Sequence, residues 1–167
     1  MFEKAKTLHE LLLNKLMALY DIEEQITKAL PKMEKKASDP DLKEAFRLHG
    51  VETEMHVTRL ETCFDLLGVK PKKLKADAIR GLIDDAKWVG DHVEEGPALD
   101  ANLIAAAQYV EHYEIAGYGT AIAWAKFMNH TDVVNLLQET LAEEEAADKK
   151  LTALAESKIN RQVEVGM

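Results

Sequence analysis

Each of the four long amphipathic stretches in this chain carries a carboxylate on the stripe that ought to be apolar, near the middle of the stretch. In the first, the stripe Leu12, Leu16, Leu19, Ile26, Leu30 and Met33 is interrupted by Glu23. In the second, Leu42, Ala45, Leu60, Cys63 and Leu67 are interrupted by His49, Glu52 and His56. The third sets Glu111, Glu114 and Tyr118 among Ile104, Ala107, Ala121 and Ala125, and the fourth sets Glu144 and Asp148 among Val134, Leu137, Leu141, Leu151 and Ala155. Steps of three and four are those of a helix packed on its neighbours. An ionised carboxylate buried without a partner costs several kcal/mol or takes up a proton. Such a chain folds only where its inward acids meet and are neutralised.

The 167 residues suit a single domain spanning 1–167, with 8 glycines and 4 prolines against abundant Ala, Leu, Glu and Lys. Those residues lose little rotamer freedom in a helix. Helices are expected over about 7–37, 41–67, 76–95, 98–128 and 133–157. Ser38 or Asp39 suits the start of the second, ahead of Pro40, and Gly68 suits its end. Thr131 or Asp132 suits the start of the last, and the tail 160–167 should fray. The short turns make the first pair antiparallel neighbours, and likewise the second pair. The fold class is all-α: a ferritin-like four-helix bundle of two antiparallel helical hairpins, joined by a long crossover containing an extra helix.

Hairpin geometry tests whether the acids share a level. If the first helix ends near 37 and the second begins near 41, Glu23 lies about 14 residues from the turn, Glu52 about 11 and His56 about 15. In the second hairpin Glu114 lies about 15 from its turn, Glu111 about 18, Glu144 about 12 and Asp148 about 16. At about 1.5 Å rise per residue these form one layer. The halves also repeat a local motif, Glu-x-x-x-His at 52–56 and Glu-x-x-x-Asp at 144–148.

Cations answer that layer. An oxygen-rich set with few histidines and no thiolate favours two iron or manganese ions over zinc or copper(I). The candidate ligands are Glu23, His49, Glu52, His56, Glu111, Glu114, Glu144 and Asp148. Spacing prefers His56 to His49 as the histidine ligand, with the other beside it or a satisfied core histidine. Glu111 is a ligand, a proton-transfer base or a solvated acid. Tyr118, one turn beyond Glu114, bonds a ligand or bound oxidant, or simply packs; Glu111 and Tyr118 are the catalytic candidates. Cys63 reads as a buried small hydrophobe. Met17, Met33, Met55, Met128, Trp88 and Trp124 are expected to pack.

The net charge of −9 argues against nucleic acid and anionic lipid as partners. The basic run at 70–75 reads as a solvated loop. One cysteine forms no intramolecular disulfide, and neither a membrane span nor a signal peptide is evident, so a cytoplasmic protein is expected.

The segments YDIEEQITKALPKM, HGVETEMH, QYVEHYEIAGYGT and LLQETLAEEEAADKKL resemble the bacterial ferritin-like stress-response family called YciF-like, over about residues 3–157. The resemblance implies a ferritin-like bundle, a di-iron or di-manganese centre, a homodimer and induction under stress. It carries the family's positions onto Glu23, His49, Glu52, Glu111, Glu114, Glu144 and Asp148, favouring His49 where spacing favours His56. Neither half has the Glu-x-x-His of the wider ferritin-like pattern. The functional expectation is a metal-dependent protein reacting with a small oxidant, peroxide or oxygen, in catalase-like or ferroxidase-like fashion. Its rivals are a metal-stabilised structural bundle without turnover and a metal-free helical adaptor.

Overall fold

The structure, a computed structural model, describes residues 4–164. Among these, α1 spans Leu8–Lys36, α2 Pro40–Leu66, α3 Asp77–His92, α4 Pro97–Phe127 and α5 Thr131–Leu154. A single π-helical turn, Ala155–Ile159, leads into the short α6, Asn160–Glu164. The expected fraying at 160–164 is therefore corrected. Ile159 is wholly buried, and Lys158 Nζ reaches back to Asp39 and Asp41 at 2.7 Å each, which holds the chain helical past Ser157. Residues 165–167 of that tail lie outside the described residues.

Local chemistry sets the helix ends. Thr7 Oγ1 accepts from the Glu10 amide at 3.2 Å while Glu10 Oε2 accepts from the Thr7 amide at 3.0 Å, a reciprocal cap for α1. Asp39 accepts from the Asp41 and Leu42 amides at 2.9 and 3.2 Å, and Pro40 takes the first helical position, where its missing N–H costs nothing. At Gly68, with φ +70°, the chain leaves α2 through a conformation that penalises a Cβ. The start of α5 differs from expectation. Thr131 and Asp132 are already helical, and His130 holds the cap position without a side-chain bond.

The helices α1 and α2 form one antiparallel hairpin and α4 and α5 the other; α2 against α5 and α1 against α4 close the ring. The helix α3 lies on α4 and, more lightly, on α1. Asp100, 1% exposed, accepts from the Ser38 and Asp39 amides at 2.7 and 2.9 Å, pinning the first hairpin's turn to the first turn of α4. The crossover segment is tied along α1 by Leu74 N–H to the Met17 carbonyl at 3.1 Å and Ala76 N–H to Asp21 Oδ2 at 2.9 Å. The architecture is a ferritin-like helical bundle.

Apolar layers close both ends. Leu12, Leu16, Leu60, Phe64, Ala125 and Leu137 are buried at one, and Leu30, Leu42, Phe46, Leu99, Leu103 and Ile159 at the other. Each such large side chain contributes about 1.5–3 kcal/mol through burial. These layers hold the polar middle in register. Two packing expectations fail: Trp88 is 60% exposed and stacks on His92, and Met55 is 43% exposed on the outer face of α2. Met17, Met33, Met128 and Trp124 do pack against the core.

Candidate metal centre

Six side chains meet between the apolar layers: Glu23 from α1, His49 and His56 from α2, Glu111 and Glu114 from α4, and Glu144 from α5, all buried. Two overlapping triads stand out. Glu23, His56 and Glu144 offer donor atoms within 4.8 Å of one another, and so do His49, Glu111 and Glu144. Glu144 belongs to both. His56 Nδ1 lies 2.9 Å from Glu144 Oε1 and 3.4 Å from Glu23 Oε2; His49 Nε2 lies 3.5 Å from Glu144 Oε2 and 3.3 Å from Glu111 Oε1.

These contacts are close without being hydrogen bonds. Among the described residues, every buried side-chain polar atom lacking a hydrogen-bond partner belongs to this cluster: Glu23 Oε2, His49 Nε2, His56 Nδ1, Glu111 Oε2, and both oxygens of Glu114 and of Glu144. One such atom costs about 1–3 kcal/mol, more for a charged group. Eight in one place are not left unsatisfied at random. Carboxylate oxygens and imidazole nitrogens that face a common space rather than each other are the donor set of a hard or borderline cation. Each triad could therefore hold a metal ion.

The metal-free electrostatics carry the same signature. Burial pushes the Glu111 and Glu114 carboxyls well above the usual range, and the neighbouring Glu144 and Glu23 carboxylates push them further. Burial also raises Glu23, against the pull of His56. For His56 burial opposes the charged ring, yet Glu144 and Glu23 prevail and lift it to about 10. Glu144 is the exception: burial works to raise it, but His56 and His49 hold it low. Without metal, the shifts favour a protonated His56 ring and protonated Glu23, Glu111 and Glu114 carboxyls.

Supporting contacts come from all sides. The Tyr118 hydroxyl, wholly buried, donates to Glu23 Oε1. It reaches across because α1 and α4 approach closely at Gly117, where a Cβ would stand 3.0 Å from Leu19 Cδ2. His56 Nε2 lies 2.8 Å from Glu143 Oε2, and Glu143 is clasped by the Arg59 guanidinium through both oxygens, Nη2 to Oε1 at 2.9 Å. Arg59 Nη1 also donates to Thr140 Oγ1 at 3.3 Å. The Arg59 guanidinium holds the Glu143 carboxyl below its ordinary value.

The structure does not bring every candidate into the triads. Glu52 has a side chain 40% exposed and lies 3.4 Å from His49 Nδ1. Asp148 accepts from Gln108 Nε2 at 2.9 Å and lies 3.4 Å from His112 Nε2, one turn beyond the cluster. Glu114 shares the cluster with both oxygens free but stands outside the two triads. His49 and His56 are not alternatives: each serves one triad. Pattern reading missed Arg59 and Glu143. Glu143 hides in a run of three glutamates that reads as solvated, whereas Arg59, three residues after an inward histidine, carried a usable signal.

A cleft of about 150 Å³ between α2 and α5 leads from the surface to His49 and Glu111, past Glu52, Glu143 and Ala147. Its size admits a few waters or a diatomic-sized molecule rather than an organic substrate. No helix among the described residues is long and apolar enough to cross a membrane.

Known proteins resemble this chain in sequence and in fold. A family model described as a domain of unknown function, DUF892, matches residues 7–164. The chain is 39% identical over 160 residues to protein YciF of Escherichia coli K12, covering 95% of this chain and 96% of that one. The crystal structure of the E. coli stress protein YciF matches with a TM-score of 0.89 over 93% of this chain and 99% of that chain. YcfI from Rhodopseudomonas palustris, provisionally described as a structural protein, matches at 44% identity with a TM-score of 0.88 over 91% of this chain and 98% of its own. A Xanthomonas campestris protein at 19% identity and a TM-score of 0.75 shares the fold. From its ferritin-like bundle to its sequence matches, this chain belongs to the DUF892 family of YciF-like proteins.

Proposed function

We propose that Glu23, His56 and Glu144 hold one ion, that His49, Glu111 and Glu144 hold a second, and that the protein consumes peroxide or oxygen there. One observation carries this reading: Glu144 is common to both triads, wholly buried, and neither of its oxygens has a hydrogen-bond donor. Iron or manganese would suit these donors, and two such metal ions would supply one-electron steps between adjacent oxidation states.

The chain's own residues divide the remaining work. Glu143, clasped by Arg59, accepts the Nε2 proton of His56 and leaves Nδ1 free to donate its lone pair. Tyr118 orients Glu23 through Oε1, leaving Oε2 for the ion. Glu111 stands at the inner end of the cleft, where a carboxyl moves a proton between the cluster and cleft water. The apolar layers above and below exclude bulk water.

Two versions are concrete: catalase-like disproportionation of peroxide and ferroxidase-like consumption of peroxide or oxygen by iron(II). Protein reconstituted with iron(II) or with manganese(II) should deplete peroxide in stopped-flow assays. Oxygen release marks the first version and stoichiometric iron oxidation the second. A fully loaded protein that turns over neither substrate contradicts the redox reading. The metal would then stabilise a structural bundle, the reading that the description of YcfI favours. The outer stripe Leu48, Val51 and Met55 on α2, 38–50% exposed, suits a homodimer, checked by light scattering. The lone, buried Cys63 accords with a cytoplasmic setting.

A further inference from the structure

On the side of the bundle away from the cleft, a groove of about 600 Å³ runs between α1, α3 and α4. Its walls are Ile26, Leu30 and Met33 of α1, Ile83 of α3, and Leu103 and Val110 of α4. Its rim is cationic, with Lys28, Lys32, Lys35 and Lys36 of α1 and Lys87 of α3, in a chain whose net charge is −9. The Lys36–Asp91 ion pair at 2.8 Å bridges α1 to α3 along this rim. Lys28 leans on Glu24 at 3.7 Å. Lys32 and Lys35 are exposed and have no ion-pair partner among the described residues.

We propose that this groove binds a free long-chain carboxylate, its alkyl chain along the apolar wall and its carboxylate at Lys32 and Lys35. The volume lies within the roughly 300–1,000 Å³ of pockets that take one small organic ligand. An alkyl chain removes the wall from water without presenting polar groups that the wall could not satisfy. The two unpaired ammonium groups select an anionic head over a neutral or cationic one. A concave site on a chain of net charge −9 suits a single free amphiphile rather than an anionic bilayer, which the molecule as a whole repels. The proposal does not depend on the metal, because the groove meets the cluster only at Glu111 on its inner wall.

The test is calorimetric titration of the full-length protein, metal-free and metal-loaded, with dodecanoate below its micellar concentration. Dodecyltrimethylammonium is titrated in parallel. One dodecanoate per chain is expected, with at least tenfold weaker binding of the cationic amphiphile and of dodecanoate to Lys32→Glu/Lys35→Glu. Ala29→Trp, which fills the groove from a half-buried position of α1, should abolish binding and leave the circular dichroism unchanged. Absence of saturable binding overturns the proposal. So does equal affinity for the two amphiphiles, insensitivity to both variants, or association with anionic vesicles without binding of free dodecanoate.

Discussion

His49 and His56 stand two helical turns apart on α2, their ring centroids 6.2 Å from each other, and each faces a different oxygen of Glu144. A spacing of seven residues returns to nearly the same helix face, so one helix supplies a nitrogen donor to each half of the cluster. The carboxylate from α5 lies between them. No other residue joins both triads.

The metal-free protein should lose stability as pH rises above about 4.5 and on towards 10. Glu111, Glu114 and Glu23 have values raised above their ordinary 4.5, so the folded protein keeps protons that the unfolded chain has released. Their contribution is full below about 4.5 and is lost as pH climbs through the raised values. His56, lifted from 6.5 to about 10, adds a contribution full below 6.5 and lost towards 10. Glu144, held low, contributes above its ordinary 4.5 and adds no slope in this window. Ions bound in the cluster would replace those protons, so metal loading should abolish or reverse the trend. Thermal melts of chelated and loaded protein across this range check the sign; a chelated protein that gains stability with pH contradicts it.

Arg59→Ala should weaken metal binding by about ten- to hundredfold. The guanidinium fixes Glu143, and Glu143 in turn fixes the His56 ring through Nε2. Arg59→Lys keeps the charge without the two-pronged clasp and should fall between. Competition with a chelator reads the affinity, and an unchanged affinity in Arg59→Ala would show that the clasp does not serve the cluster.

Tyr118→Phe tests the bond across α1 and α4. Phenylalanine keeps the ring volume at a position with no exposure but leaves Glu23 Oε1 without its donor. The metal-free variant should be about 1–3 kcal/mol less stable in urea unfolding. The loaded variant should still bind metal, since Tyr118 is not among the donors of either triad. Unchanged stability in the metal-free state argues that the hydroxyl only fills space.

Most of the fold was legible because each helix carries its own punctuation: Asp39 with Pro40 at one start, Gly68 at one end, and stripes of threes and fours between. The level of the acids followed from hairpin arithmetic, which locates a residue along the bundle axis. Rotation about each helix is less constrained by pattern. Glu52 sits three residues from His49, on the same stripe by count, yet its side chain swings towards the cleft and stays 40% exposed. Asp148 is likewise engaged by Gln108, a residue whose partner no periodicity announces. The tail was misjudged because Lys158 is held by Asp39 and Asp41, more than a hundred positions away, and because Ile159 is wholly buried.

If the Glu144 carboxylate joins two ions, metal content reports it. Elemental analysis of protein purified without chelator, then reconstituted, should find about two iron or manganese ions per chain. Glu144→Gln, equal in size but without the charge, should fall below one, while Glu52→Ala should retain nearly all. No metal after reconstitution with either ion, or full loading of a folded Glu144→Gln, would contradict the account.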